Sequence, residues 1–299
     1  MKKKIITDFY LEEQNEDIPG GLTEILNLIM KQDVEDRNLN YGESVLRIQE
    51  CSLDEQGIYE GNFVKIRMYG LPSKASIDGT LAEFDLEDDE GMGEEASFLY
   101  DSNLKILAFQ RNRYSVTMPT FSNYLKKKTK GKSEIDFLPI LTVDTLKKFQ
   151  KMNSITKFNL KVAGISNPEA FKKSGYAPER VIDLLEEFGA PNMDLTFSMG
   201  FAKGSSLKIK PLQRAINQFL KFASGKDDET KSEVTSLIVT GNGSENHQEI
   251  IDLIANRLYL EKEIDLNKAD RVLPYSTRKI IIKDHFESKE NELKRRFHS

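Results

Sequence analysis

The chain has 299 residues, 38% of them hydrophobic and 9% aromatic, enough for a sizeable core in one large or two ordinary domains. Its 30% charged residues and mean hydropathy of -0.49 point to a soluble protein, and with no run of about 18 apolar residues it is expected to have no membrane span. A net charge of -5 argues against a dedicated basic nucleic-acid binder, and the single Cys51 excludes an intrachain disulfide or a cysteine-rich metal site.

The apolar run near residues 5–6 stops at Thr7, too short for a secretory core, so the expected compartment is a reducing cytoplasm. The charge is unevenly spread. Residues 1–133 carry 17 Lys and Arg against 24 Asp and Glu, whereas residues 134–299 carry 26 against 24.

In chain order, residues 4–10 form a first expected strand. Leu22, Ile25, Leu26, Ile29 and Met30 recur at helical spacing, which predicts an amphipathic helix over 22–32. Residues 44–49 and 59–68 predict strands, the second alternating Phe63, Ile66 and Met68 with Lys65 and Arg67 in the manner of an antiparallel strand with one wet face. Strands at 97–100 and 106–110 flank Asp101-Ser102-Asn103, whose Asp and Asn suit a tight turn. The lysine-rich stretch 126–132 is too charged to be buried, so the domain boundary is expected at 133 and the lysines in a loop.

Beyond the boundary the pattern alternates. It predicts an edge strand at 135–142 containing Pro139, then a helix at 143–152 and a strand at 157–163. A helix at 178–188 closed by Gly189 follows, then a strand at 194–199, a helix at 211–223 and a strand at 234–240. The apolar run 248–260 reads as a helix, and 276–297 as a charged terminal helix. Alternation favours crossover units, although short connections also allow an antiparallel sheet. The fold class is α+β: a β-rich N-terminal domain, 1–133, and an α/β C-terminal domain, 134–299.

Two features carry candidate chemistry. Asp85 to Glu95 concentrates carboxylates that suit a hard cation or a basic partner, but it lacks the spacing of a calcium loop. Gln110, Arg111, Asn112 and Arg113, with Lys126, Lys127, Lys128, Lys130 and Lys132, offer phosphate- and base-contacting groups and form the candidate nucleic-acid site. The bland readings are a solvated acidic loop and an ordinary hairpin face beside a lysine loop. Gly241-Asn242-Gly243-Ser244 would hold phosphate only if a helix begins there; turn glycines and an N-cap serine are the plainer reading. His247, His285 and His298 are scattered without ligand spacing, so no metal and no cofactor are expected.

Asp8-Phe9-Tyr10, Gly61-Asn62-Phe63-Val64-Lys65-Ile66-Arg67, the acidic Asp88 to Glu95, Phe98-Leu99-Tyr100-Asp101 and Gln110-Arg111-Asn112-Arg113 resemble an uncharacterised bacterial family of domains of unknown function, over the whole chain. Its members are cytoplasmic and have no assigned reaction, so the resemblance implies no catalytic residue. The two-part layout also resembles effector proteins of some anti-phage operons, including the second protein of the Kiwa system. The resulting expectation is a defence-type component that binds DNA, RNA or a partner protein of the same operon. Alternatives are a metal-dependent nuclease or other hydrolase using the acidic block, and an oligomeric scaffold. A homodimer is expected through the terminal helix, where Phe286, Leu293 and Phe297 sustain an apolar stripe.

Overall fold

The computed structural model describes residues 2–14, 21–130, 135–165, 179–200, 206–222, 233–243, 248–266 and 272–297. The architecture is α+β, with two large antiparallel sheets and one two-stranded ladder among the described residues. The first is built around β1 (Lys2–Gln14), which pairs along one edge with β8 (Ile106–Arg111). Its other edge is shared by two strands in succession. β14 (Tyr259–Asp265) covers residues 2–8 of β1, and β9 (Ile135–Pro139) covers residues 10–14. Outward from β8 the order continues through β7 (Met92–Asp101), β4 (Ile58–Arg67), β3 (Ser44–Leu53) and β2 (Leu39–Tyr41). Pro139 ends β9, which pairs only with β1, as an edge position requires.

One face of this sheet is apolar and aromatic. It is covered by α1 (Gly21–Met30) and α2 (Met118–Lys128). Phe121 of α2 lies at the centre, with ring centroids 5.2 Å from Phe63, 5.2 Å from Phe109, 5.7 Å from Phe98 and 5.8 Å from Phe137. The opposite face is covered by the helix Tyr275–Phe297, whose Ile282, Phe286 and Leu293 pack on Phe9, Leu99 and Ile106. The apolar stripe expected at a dimer interface is therefore buried within its own chain.

The second sheet has the order β11 (Met193–Ser198), β10 (Ser154–Ala163), β12 (Glu233–Asn242), β13 (Gln248–Asp252). Its core joins Phe158, Leu160, Leu237 and Val239 to Leu185 of a helix at Glu179–Phe188 and to Leu212, Ile216 and Phe219 of a helix at Ile209–Phe222. A further helix, α3 (Val143–Gln150), precedes β10. In chain order the last three helices are α4 (Glu179–Phe188), α5 (Ile209–Phe222) and α6 (Tyr275–Phe297). α4 ends as its sequence indicates, with Gly189 at φ 58° and the Ala190 N–H bonded to the Leu185 carbonyl at 3.0 Å.

Strand pairing divides the chain otherwise than a cut after residue 133. β9, β14 and α6 all belong to the first sheet, while Leu138 and Leu141 also pack against the second core. Every ladder among the described strands is antiparallel, so the alternation of strands and helices does not produce parallel crossovers.

The helix expected over 248–260 is instead β13, a turn and the start of β14. The reason is local. Asp252 Oδ1 accepts the N–H groups of Ile254 (2.9 Å) and Ala255 (3.0 Å), donors a continuing helix would need, and Asn256 Nδ2 donates to the Asp252 carbonyl at 2.6 Å. Adjacent Ile250 and Ile251 then take opposite faces, 69% and 3% exposed. The next described element after Gly243 is a strand and not the helix that a phosphate loop needs, and Ser244 lies outside the described residues. A side chain at Gly241 would strike the Ser154 carbonyl of the paired strand, so that glycine serves a close strand crossing.

Gly61 has the same role at the centre of the first sheet, where a Cβ would meet the Phe98 ring and the Glu50 carbonyl at 2.9 Å. Gly61→Ala is expected to destabilise the fold by about 1–3 kcal/mol through overpacking. Equilibrium urea denaturation measures this, with a fully open position such as Gly42, where φ is 56°, as a comparison for backbone strain alone.

Candidate functional site

The basic residues singled out in the sequence do not form one surface of unengaged cations. Gln110 is buried beneath α6, where its Oε1 accepts from the Ser97 N–H (3.1 Å) and from Arg278 Nη1 (3.5 Å). Arg111 points to the other side of β8 and forks onto buried Asp8, with Nε 2.7 Å from Oδ2 and Nη2 bonded to Oδ1. The Asp8 hydrogen bond raises the Arg111 pKa, and the guanidinium lies 5.3 Å from the Tyr259 ring centroid. Asn112 is a turn residue: its Nδ2 donates to the Glu95 carbonyl (2.8 Å) and its Oδ1 accepts from the Tyr114 N–H (3.2 Å). Arg113 and Tyr114 are exposed and stacked, 4.5 Å from guanidinium carbon to ring centroid.

The expected lysine loop is in part helix. Lys126, Lys127 and Lys128 are the last turn of α2, where cations complement unpaired carbonyls and the negative end of the helix dipole. Lys128 Nζ donates to the carbonyls of Asp36 (2.5 Å) and Asn38 (3.1 Å), and burial lowers its pKa. Lys127 Nζ sits 5.5 Å from the Tyr41 ring centroid. Lys130 follows the helix with φ 54°, and Lys132 lies outside the described residues. Arg113 precedes α2 and the lysines end it, so they are separated by roughly 15 Å of helix.

The densest polar cluster centres on a residue the sequence did not single out, Arg278, and takes in Gln110 and Glu95 from the two candidate features. Arg278 of α6 is 3% exposed and faces the sheet. Its Nη2 is ion-paired to Glu95, its Nη1 donates to Asn62 Oδ1 (3.2 Å) and Ser97 Oγ (3.0 Å), and its Nε donates to the Leu273 carbonyl (3.2 Å). Asn62 Nδ2 completes the ring by donating to Glu95 Oε2 at 2.6 Å. Two further polar contacts flank it: Lys279 with Glu60 at 2.7 Å, and His285 Nδ1 with Thr7 Oγ1 at 2.8 Å. Strand alternation produces this layer, because Glu60, Asn62, Glu95, Ser97, Thr7 and Gln110 all occupy positions facing α6. A signal was present in the helix: Arg278 stands four and eight residues before Ile282 and Phe286, on the same stripe. The cluster is closed by its own partners, and its chemistry is that of a lock between helix and sheet.

At the far end of the same helix, a cleft of about 700 Å³ opens between α6 and the β3–β4 and β7–β8 turns. Leu99 and Phe286 contribute apolar lining, and Asp54, Asp101, Glu287 and Lys294 add charge. Asp101 itself holds the β7–β8 turn through the N–H groups of Asn103 (2.8 Å) and Leu104 (3.0 Å).

The acidic block is divided: Asp85 to Glu90 lie in an excursion between β4 and β7, whereas Glu94 and Glu95 are part of β7 and Glu95 pairs with Arg278. None of residues 69–90 is buried. The excursion is nevertheless ordered locally by a two-residue ladder between β5 (Lys74–Ala75) and β6 (Leu81–Ala82). Its tip turns at Gly79 (φ 95°), where Asp78 Oδ1 accepts from the Thr80 N–H at 3.0 Å and from the Ser76 hydroxyl, contacts that lower the Asp78 pKa. The Glu87 N–H donates to Glu90 Oε2 at 3.1 Å. Among the described residues no three His, Cys, Asp or Glu side chains converge as a metal site would need, and no helix is long and apolar enough to cross a membrane.

The fold and its polar cluster thus define an α+β protein whose densest polar chemistry is directed inward, to holding the helix α6 on the first sheet. The chain belongs to the family described as a family of unknown function, DUF6731, whose profile matches residues 2–294. No curated protein matches the sequence.

Two outcomes follow for the helix–sheet lock. Arg278→Ala strands Glu95, Asn62 and Ser97 and is expected to cost about 3 kcal/mol, near the low end for a buried pair because Glu95 keeps 31% of its side-chain surface exposed. Lys283→Ala, on the same helix, should cost under about 0.5 kcal/mol. His285 carries a lowered pKa, chiefly from burial and then from Lys262, opposed by Asp284. Above about pH 6.5 the imidazole is neutral in both folded and unfolded chains and adds no pH dependence. As pH falls below that value the unfolded chain takes up a proton that the folded chain resists, so stability declines. Melting temperature between pH 7.5 and 5 should fall less steeply in His285→Gln than in the parent.

Proposed function

We propose that the protein acts by binding another macromolecule, and that the excursion 69–90 is its recognition element. One observation carries the reading: 22 successive residues leave the first sheet, none of them buried, and still form a defined hairpin at 74–82. An excursion that adds nothing to a core is retained for what it touches. A partner protein, such as one encoded in the same operon, fits this arm. A role in a defence system fits the reading too, because such a component can act through contact alone. The setting is a reducing cytoplasm, in which Cys51 remains a thiol; burial pushes its pKa up to about 12.

A second reading rests on a different observation, the exposed Arg113–Tyr114 stack and the lysine-rich end of α2, which suit single-stranded nucleic acid. Self-association through α6 has lost its argument, since the stripe is covered, and a homodimer would use another surface.

Replacing residues 70–90 with a short Gly-Ser linker is expected to leave the melting temperature within about 3 °C of the parent, because no buried contact is removed. The same deletion should abolish capture, from the source organism, of a partner identified by mass spectrometry. Identical capture by both baits would sink the reading. For nucleic acid, fluorescence anisotropy with a labelled oligonucleotide across about 50–200 mM salt should show steeply falling affinity; Arg113→Glu with Lys126→Glu leaving that affinity intact would remove the second reading.

A further inference from the structure

Resting on the reading of residues 69–90 as a recognition arm, we infer that its partner is a basic, amphipathic protein segment: lysines or arginines interleaved with large apolar side chains. Two properties of the arm specify this chemistry, and they are independent of one another.

The first is charge. Residues 69–90 hold seven carboxylates, at Asp78, Glu83, Asp85, Glu87, Asp88, Asp89 and Glu90, against the single Lys74, a net of -6. The whole chain is at -5, so everything outside the arm sums to +1. The molecule's net negative charge thus falls on this one exposed excursion, six of the seven carboxylates in the stretch 83–90 that follows the hairpin. None of the five carboxylates from Glu83 to Asp89 is ion-paired among the described residues. At physiological salt the screening length is about 8 Å, so these groups act on whatever lies against the arm. Such a field repels phosphates and selects cations, which makes nucleic acid the wrong partner for this surface.

The second is apolar exposure. Ile77 at the tip is fully exposed, and Tyr69 and Leu81 keep 68% and 72% of their surface. Three large apolar side chains left in water, on an element whose Leu71, Phe84 and Leu86 are only half-buried, are anchors awaiting a pocket or an apolar face. A purely cationic ligand would satisfy the carboxylates and leave them in water. A neutral apolar ligand would do the reverse. A basic amphipathic segment satisfies both. The arm is also preorganised, through the Asp78 turn and the Glu87–Glu90 contact, so less ordering is lost on binding.

The test uses the full chain and two labelled synthetic peptides of equal positive charge, one of lysine and leucine, the other of lysine and serine. Anisotropy should show the Lys/Leu peptide bound at least about tenfold more tightly than the Lys/Ser peptide, with affinity falling as salt rises. Asp85→Asn, Glu87→Gln, Asp88→Asn and Asp89→Asn together should weaken Lys/Leu binding at least about tenfold and flatten its salt dependence. Ile77→Ser with Leu81→Ser should weaken the Lys/Leu peptide by a similar factor and leave the Lys/Ser peptide unchanged. Equal binding of the two peptides, or full affinity in the neutralised arm, overturns the inference. Circular dichroism melts establish that each variant is folded. Should the neutralised arm melt early, an arm carrying Asp85→Lys, Glu87→Lys, Asp88→Lys and Asp89→Lys must bind a Glu/Leu peptide and reject Lys/Leu; failure to switch is also decisive against it. Loss of partner capture on arm deletion without Lys/Leu binding would sink this chemistry alone, whereas unchanged capture removes the arm as a recognition element altogether.

Discussion

The first sheet depends on the two-edged pairing of β1. Its thirteen residues bond β8 along one edge and both β14 and β9 along the other, so segments near residues 5, 108, 137 and 262 meet on a single strand. Closing loops of that length is entropically costly, though only logarithmically in their length. The return comes from pairing β1 on both edges and burying both its faces: Phe9 against α6, Tyr10 among the aromatics under α2. Charged outer positions on β14, with Lys4 bonded to Glu261 at 3.0 Å, keep the resulting edge from recruiting further strands.

The two faces of that sheet are fixed by different physics. Under α1 and α2, position is set by shape, with Phe121 touching four rings. Tyr124 adds two polar ties there, its hydroxyl donating to the Arg37 carbonyl at 3.0 Å and accepting from the Ile48 N–H at 3.3 Å. Under α6, position is set by direction. A helix resting on apolar residues alone could slide or rotate by a residue at modest cost. The Arg278 guanidinium, held by Glu95, Asn62, Ser97 and Gln110 at once, allows one register. A further buried carboxylate, Glu12, does comparable work on the other face by accepting the Leu22 N–H at the start of α1 (2.9 Å) and the Tyr100 hydroxyl.

Much of this architecture was legible because it rests on short-range rules. Strand alternation around Phe63, the Asp101–Asn103 turn, Gly189 as a helix stop and Pro139 at an edge are each decided by residues a few positions apart. Residues 248–260 were misread because a run of Ile and Leu has no unambiguous period, and the deciding group, Asp252, acts through its side chain. The candidate site was less legible still. Arg111 looks like a phosphate contact until Asp8, a hundred residues away, is seen beneath it. Gln110 looks like a surface amide until α6 arrives from residue 278. Composition near residue 110 carries no trace of either partner. The acidic run from Glu83 to Glu90 was visible at once, because a solvated segment has no distant partner to conceal, whereas Glu95 at the end of the block is taken by Arg278.

The pairing of β1 also sets an order of events in time. Translation at about 5–20 residues per second places roughly 10–50 seconds between the synthesis of β1 and that of β14, about 250 residues later. Through that interval Ile5 and Phe9 lack α6, and the edge later taken by β14 is open. A nascent chain in this condition resembles an unfinished sheet more than a folded domain waiting for a neighbour. Until β14 and α6 are made, β1 keeps an unpaired edge and an uncovered apolar face, the two features that favour pairing between chains.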